Sequence, residues 1–258
     1  MPPLELTPDE LAEALTAAEL EVVGRMRYSS NATFLVEARL DGEVRRAVYK
    51  PRGGERPLWD FPSGTLCQRE VAAYELSRGL GWGIVPVTVL RDGPFGPGAV
   101  QRFVEHDPDD HYFTLLARFP DRFRAFAQFD VVANNTDRKG GHCLLDLEAE
   151  AEAEAGDEAG DGAAGRAVVG IDHGLTFHPD WKLRTVIWDF EGERPAEPQR
   201  VDLCRVLEEL DGGPLAGRLA PLLDADEIEA VAMRTRMLLE RGLPEYDGGH
   251  HSVPWPLV

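Results

Sequence analysis

The sequence predicts an α+β fold in which an antiparallel sheet with accompanying helix gives way to a mainly helical second half. Three observations predict it. The stretch EVVGRMRYSSNATFLVEARLDGEVRRAVYKP reads as strands around a DG hairpin signal, and IVPVTVLRDGPFGPGAVQRFVE repeats that grammar. Between them, GTLCQREVAAYELSRGLG carries apolar residues at helical spacing and stops at glycine. After Glu105 the pattern is mostly helical to Ala133, loop-rich beyond it, and helical again near the end.

Each element has its own signal. In TPDELAEALTAAEL, Thr7 is placed to cap a helix, Pro8 to occupy its first position and Glu10 to complete a capping box ahead of apolar Leu11, Ala14, Leu15 and Ala18. A first strand runs to about Tyr28, a polar turn covers Ser29–Thr33, and Asp41–Gly42 turns the second strand into a third that ends at Lys50 and Pro51. The next helix shows Leu66, Val71, Tyr74 and Leu80 on one face, and strand, DG-type turn and strand follow it. Near the end, Asp224 with Glu227 starts a helix that Gly242–Leu243–Pro244 stops. DLEAEAEAEAGDEAGDGAAG has no large apolar residue apart from Leu147 and repels itself. It reads as a disordered acidic insertion over about 147–166, extending the tip of a hairpin between HCLL and AVVGID.

With 258 residues and 43% hydrophobic content, the chain can fill a substantial core. Its formal charge is −19, and Asp146 to Asp161 alone holds eight carboxylates and no base, yet the remainder stays acidic. Such a balance excludes nonspecific binding to nucleic acid or anionic membrane, both of which need clustered Lys and Arg. Any anionic ligand would need local cations or a metal. No apolar run approaches the roughly 18–20 residues of a spanning helix, and MPPLELTPDE lacks the basic-then-apolar pattern of a secretory signal. A cytoplasmic protein without a membrane anchor is expected. Cys67, Cys143 and Cys204 are odd in number and in no CxxC spacing, which suggests neither a disulfide framework nor a zinc site and leaves them as buried small apolar residues.

The densest polar chemistry is NNTDRKGGH, residues 134–142, directly after the apolar run FRAFAQFDVVA. If the sheet and the helical half face one another, Lys50 at a strand end, Glu70 on the following helix, Asp137 in this loop and Asp172 after the short strand of AVVGID meet at one seam. That set suits phosphoryl transfer from a nucleotide, where catalysis is positioning plus charge neutralisation. One Lys serves the phosphates, a carboxylate holds it, a second orients the acceptor hydroxyl and a third holds a divalent metal.

VYKP, REVAAYELS, AVQRFVE, FDVVANNTDRKGGHCLL and GIDHGLTFHPDWKLR occur in the order and near the spacing of a known family. The chain resembles the phosphatidylinositol 3-/4-kinase-like branch of the protein-kinase fold over about residues 20–190, nearest to type II phosphatidylinositol 4-kinases and more distantly to HipA-type protein kinases. The resemblance implies a bilobal fold, with residues 1–104 as an N-lobe of antiparallel sheet plus helix and 105–258 as a mainly helical C-lobe. It implies ATP with Mg²⁺, or Mn²⁺, as cofactors. Lys50 would contact the ATP phosphates and Glu70 would pair with it, Gln101, Arg102, Phe103 and Val104 would form the hinge against which adenine sits, and Ser29, Ser30, Asn31 and Thr33 would take the place of the phosphate-covering loop. Asp137 would be the catalytic aspartate and Asp172 the metal-binding one.

Three departures accompany the likeness. His142 stands where the family generally has a metal-binding asparagine, and imidazole suits Mg²⁺ less than an oxygen ligand does. SSNAT has no glycine, so hydroxyls would substitute for close backbone approach. The cysteine-rich lipid anchor of the 4-kinases is not visible, which argues against lipid as acceptor. The expected function is an ATP-dependent kinase acting on a hydroxyl of an unidentified protein or small-molecule substrate. A nucleotide-binding regulator of the pseudokinase type is the alternative, a hydrolase using His142, Asp172, His173 and His178 as metal ligands is a third, and adenylyl transfer stays open. Asp130 reads as a structural acid holding the loop from the preceding helix, and within the loop Asn134 and Asn135 read as bracing amides and Arg138 as either a charge partner or a solvated side chain.

Overall fold

The computed structural model describes residues 6–26, 29, 31–155, 167–249 and 251–258. The chain divides into two compact units, Met1–Val71 with Pro86–Phe103 and Ala72–Val85 with Val104–Val258.

The first unit is built on a five-stranded antiparallel sheet in the order β1-β2-β3-β5-β4. Its strands are β1 (Glu19–Arg25), β2 (Phe34–Leu40), β3 (Glu43–Pro51), β4 (Thr88–Gly93) and β5 (Gly96–Arg102). Helix α1 (Pro8–Ala17) begins with the expected capping box, the Thr7 and Glu10 side chains each reaching the other's backbone N–H. Its far end is held by Arg91 of β4, whose Nη1 donates to the carbonyls of Leu15 and Ala18 at 2.8 and 2.6 Å. The Asp41–Gly42 turn has positive φ at both residues, 51° and 86°, which lets two residues join β2 and β3 with the strands' own twist. The second hairpin turns at Pro94–Phe95 rather than at Asp92–Gly93, which stay in β4. Alternation along β3 buries Ala47 and Tyr49 on one face and leaves Val48 and Lys50 on the other.

Helix α2 (Leu66–Leu80) starts under the Glu55 carboxylate, which accepts from the Leu66 and Cys67 N–H groups at 3.2 and 2.9 Å. At its end Gly81 adopts φ 72°, and Ser77 Oγ accepts from the Ile84 and Val85 N–H groups as the chain leaves.

The second unit is organised by α4 (Pro120–Ala133), in which every residue from Ala125 to Ala133 is buried, with Phe123 two residues earlier buried as well. Around it lie α3 (Tyr112–Leu115), α6 (Glu197–Leu210), α7 (Pro214–Leu219) and α8 (Ala225–Arg241), with α8 packed on both α4 and α6. Arg122 is buried and donates to the carbonyls of Trp82, Gly83 and Val168 at 2.6–2.9 Å, one from each of its three nitrogens. A two-stranded antiparallel ladder, β6 (Cys143–Leu145) with β7 (Val168–Gly170), follows the polar loop.

The acidic insertion departs from expectation. Residues Leu147–Ala155 form helix α5 instead of a disordered loop, because Asp146 caps the start, accepting from the Glu148 N–H at 3.2 Å, and because every second residue is alanine, the best helix former. It stands between β6 and β7, at the hairpin tip the sequence indicates, while residues 156–166 lie outside the described residues. Cys67 and Cys143 are buried, and burial pushes each thiol up to about 12. Cys204 is exposed on α6, against the expectation of burial, since the apolar face of that helix is carried by Leu203, Val206 and Leu210.

Gly98 marks a close approach in the first unit. A Cβ there would stand 2.5 Å from the Lys50 carbonyl oxygen and 2.7 Å from Pro51 Cα. Gly98→Ala is therefore expected to lower stability by about 1–3 kcal/mol, seen in urea unfolding as a lower midpoint at unchanged slope; an unaltered midpoint contradicts this packing.

Candidate active site

In the first unit, Lys50 and Glu70 form an ion pair between β3 and the first turns of α2, with 19% and 4% of their side chains exposed. Lys50 leaves the sheet on the face opposite Tyr49, and the pair fixes where its ammonium sits. The turn that holds Ser29, Asn31 and Thr33 is closed by Met26 N–H donating to the Thr33 carbonyl at 2.9 Å and is pinned to the chain after β3 by Ala32 N–H on the Gly54 carbonyl at 3.0 Å. Ser29 and Thr33 share a hydroxyl hydrogen bond of 2.7 Å, Thr33 being buried, and Asn31 Oδ1 accepts from the Arg56 N–H at 3.0 Å. Ser29 and Thr33 brace the turn itself, and Asn31 ties it to the chain after β3. Ser30, also expected here, lies outside the described residues.

Of the expected hinge residues, Gln101 turns into the sheet, its amide donating to Thr88 Oγ1 at 2.8 Å. Arg102 ends β5, and Phe103 lies 5.1 Å under the Arg46 guanidinium. The division between the units falls between Phe103 and Val104. In the second unit Val104 is buried with Leu144 and Val169, Ile171 packing against them, which makes an apolar patch of side chains from the linker, β6 and β7.

The polar loop is built outward from the end of α4. Asn134 closes that helix in the left-handed region, φ 50°, a conformation asparagine tolerates. Its amide donates to the carbonyls of His178 and Asp180 and its oxygen accepts from the Lys182 N–H, so one side chain ties down a distant segment. Asn135 donates to Asp130 at 3.0 Å and accepts from the Asp137 N–H at 3.0 Å. Arg138, fully buried, grips Asp130 at 2.9–3.1 Å and reaches the carbonyls of His142 and Ile171. Burial pulls the guanidinium down, but Asp130 outweighs it and holds the group above its ordinary value. Between these anchors Asp137 stays a quarter exposed, with the Lys139 ammonium 2.9 Å from Oδ2.

Asp172 follows β7 with φ 62° and a half-exposed carboxylate. The left-handed turn sends the next residue inward: His173 is buried, and its Nε2 accepts from Arg138 Nη2 at 2.7 Å. His142 Nε2 lies 3.6 Å from Asp172 Oδ2. Burial pushes this imidazole below its ordinary value, Asp172 opposing the shift and Arg138 adding to it. A neutral imidazole and a carboxylate at this spacing could together hold one cation.

Of the four residues expected as hydrolase ligands, His142 and Asp172 come together, while His173 and His178 turn to other partners. Among the described residues no three His, Cys, Asp or Glu side chains are grouped to hold a metal ion. His173 is committed to Arg138, and His178 lies against Asp180 and Lys182 instead of His142. Lys139 is a residue that motif reasoning passes over, although its signal is local, a base two residues after the loop aspartate. The burial of Arg138 has no local signal.

No protein-family model matches the chain. Protein Rv2133c of Mycobacterium tuberculosis is 38% identical over 288 aligned residues, covering 98% of this chain and 97% of the relative. The chain belongs to the Rv2133c family. Among solved structures, a Golgi casein kinase with Mn and ADP bound is similar at a TM-score of 0.56 and 13% identity, over 97% of this chain and 80% of that one. A Helicobacter pylori proinflammatory kinase, CtkA, matches at 0.49 and 12% identity over 86% and 92% of the two chains, and hydra Fam20 with sugar at 0.49 and 12% over 91% and 87%. The casein kinase likeness identifies the fold of this Rv2133c-family chain as the protein-kinase-like α+β fold.

Removing one partner of the buried pair leaves the other charge without its counterion. Arg138→Met is expected to cost about 3–5 kcal/mol of stability, measured by urea unfolding; a loss below about 1 kcal/mol contradicts the pair's role. By NMR titration, His142 is expected below the ordinary 6.5, and Asp172→Asn lowers it further by removing the charge that favours the imidazolium. Because the folded value is the depressed one, this group's stability contribution is intact above about pH 6.5 and is lost as pH falls below it.

Proposed function

We propose that this protein is an ATP-dependent phosphotransferase that moves the γ-phosphoryl group to a hydroxyl of an unidentified protein or small-molecule substrate. The observation that carries the reading is the Lys50–Glu70 pair. A lysine on a central strand, held by a glutamate from the next helix, is a positioned cation of the kind that phosphate binding requires. The kinase-like fold and the bound Mn and ADP of the casein kinase neighbour support it.

In this reading residues 1–104 cover the nucleotide and 105–258 carry the chemistry. Lys50 neutralises the nucleotide's phosphates and Glu70 fixes its position. Asp137 orients the acceptor hydroxyl and takes its proton, while Lys139 beside it offers positive charge to the oxygens of the transferred group. Asp172 and His142 would hold a divalent cation, Mg²⁺ or Mn²⁺, which would supply positive charge to offset that of the phosphates. Phe103 and Val104 contribute the apolar surface for adenine. Ser29 and Thr33 shape the covering turn through their shared hydrogen bond, Asn31 ties it to Arg56, and Gln101 and Arg102 serve through backbone and sheet. We place the protein in the cytoplasm, since the three cysteines are free, as a reducing compartment keeps them. Among the described residues no helix is long and apolar enough to cross a membrane, and the motifs FDVVANNTDRKGGHCLL and GIDHGLTFHPDWKLR support a finer kinship to type II phosphatidylinositol 4-kinases or HipA-type kinases.

A second reading, a nucleotide-binding regulator without turnover, is favoured by His142 in a position where an oxygen ligand suits Mg²⁺ better. ATP labelled at the γ or the α position, supplied with Mg²⁺ or Mn²⁺, separates the two. The expected result is γ-label transfer or hydrolysis that falls about 10²-fold or more in Lys50→Met, Asp137→Asn and Asp172→Asn. Nucleotide binding with no turnover under either metal favours the regulator, and α-label on product shows adenylyl transfer.

A further inference from the structure

The segment after α8 lies along the polar loop within the second unit. Leu243 exchanges backbone hydrogen bonds with Gly192 and Glu193 at 3.1 and 2.8 Å, and the Tyr246 N–H donates to Glu191. The Ser252 carbonyl then accepts from the Thr185 N–H at 3.2 Å and from Trp188 Nε1 at 3.1 Å. Finally, the Leu257 carbonyl accepts from the Gly140 N–H at 2.7 Å. Gly140 lies between Lys139 and His142, the two residues that face Asp137 and Asp172.

The other anchors grip the loop on either side of this point. Asn135 and Arg138 secure its start, and the Ile171 N–H on the His142 carbonyl secures its end. The apex at Gly140 is buried under Phe113 and Leu257, and its glycine matches that fit: a Cβ would meet the Phe113 ring at 3.1 Å and the Leu257 carbonyl at 3.3 Å. Val258 lies over Gly141 in the same way, at 3.7 Å. The same Thr185 that meets Ser252 also donates its hydroxyl to Asp130, so the segment touches both ends of the loop's support.

We propose that residues 252–258 are a positioning strap, which holds the Gly140 apex so that Lys139 and His142 stay in register with Asp137 and Asp172. The strap touches no reacting atom; it acts through the loop. This inference rests on the phosphotransferase reading for its effect on rate, but not for its effect on loop order.

The test compares the intact chain with deletions of residues 257–258 and of 252–258, and with Gly140→Ala. The shorter deletion removes the Leu257 acceptor and keeps the Ser252 contacts, so it stays informative if the longer one fails to fold. Three readouts are taken: amide hydrogen exchange over residues 136–143, the affinity for a fluorescent ADP analogue, and kcat and KM for ATP by release or transfer of γ-label. The expected result is exchange at least about 10-fold faster in the loop but unchanged in α4, ADP affinity within about twofold, and kcat down at least about 10-fold with KM for ATP little changed. Unchanged loop exchange in the 257–258 deletion overturns the strap, whatever the activity. Faster exchange with an unaltered kcat overturns its positioning role. Should the intact chain show no turnover, the phosphotransferase reading fails by itself, and the exchange arm alone decides whether the strap orders the loop.

Discussion

Asp130 and Arg138 are eight residues apart, wholly buried, and between them they tie the polar loop to the segments at Ile171, His173 and Thr185. The two carboxylate oxygens take donors from Arg138, Asn135 and Thr185, and the guanidinium reaches the His142 and Ile171 carbonyls and the His173 ring. Taking both charges out of water costs several kcal/mol per ion, and the cost is offset only where the remaining hydrogen-bonding capacity is used. Here it is used on backbone and side chains from separate stretches of the chain. A lysine could not replace the arginine, since an ammonium has neither the planar fork nor the reach to hold the carboxylate and these further acceptors at once.

From that centre the backbone conformation follows. A helix as apolar as α4 must end somewhere its last carbonyls and the next N–H groups find partners. The left-handed Asn134 reverses the chain there, and its side chain takes up the polar groups of 178–182 that would otherwise be stranded. Asp172 uses the same region of backbone space for a different end. Its φ of 62° puts one residue, His173, under the loop and leaves its own carboxylate half in water. Asn and Asp are the non-glycine residues that bear this conformation most readily, so the residue types at both reversals are those the geometry asks for.

What can be read from the sequence is what is written locally. The capping box of α1, the Asp41–Gly42 hairpin, the helix that carries Glu70 and the polar loop after α4 each depend on residues within a few positions of one another, and each is found where those residues place it. The second hairpin turns beyond its DG signal, at Pro94–Phe95, because the register of a turn is set by cross-strand pairing, here Gly93 with Gly96. Helix α5 forms where charge repulsion alone predicts disorder, because the alanine content and the Asp146 cap act in the other direction. The burial of Arg138 and the contact of Leu257 with Gly140 leave no trace in the sequence. One depends on a helix packing around a charge, and the other on a partner far along the chain that is joined only through main-chain atoms, which carry no residue-specific signal.

The ion pairs also differ in what they permit. Arg138 is dry and engaged on every side, so it cannot be lent to a ligand without dismantling the loop. Lys50 with Glu70, and Lys139 with Asp137, retain about a fifth of each lysine side chain in contact with solvent. An ammonium is a point charge with three rotatable donors and can turn toward an arriving anion while keeping its carboxylate. Arginine therefore sits where the fold needs a fixed junction, and lysine where the charge stays partly solvated and able to reorient. The chain as a whole is strongly acidic, so any anionic ligand would depend on local cations such as these.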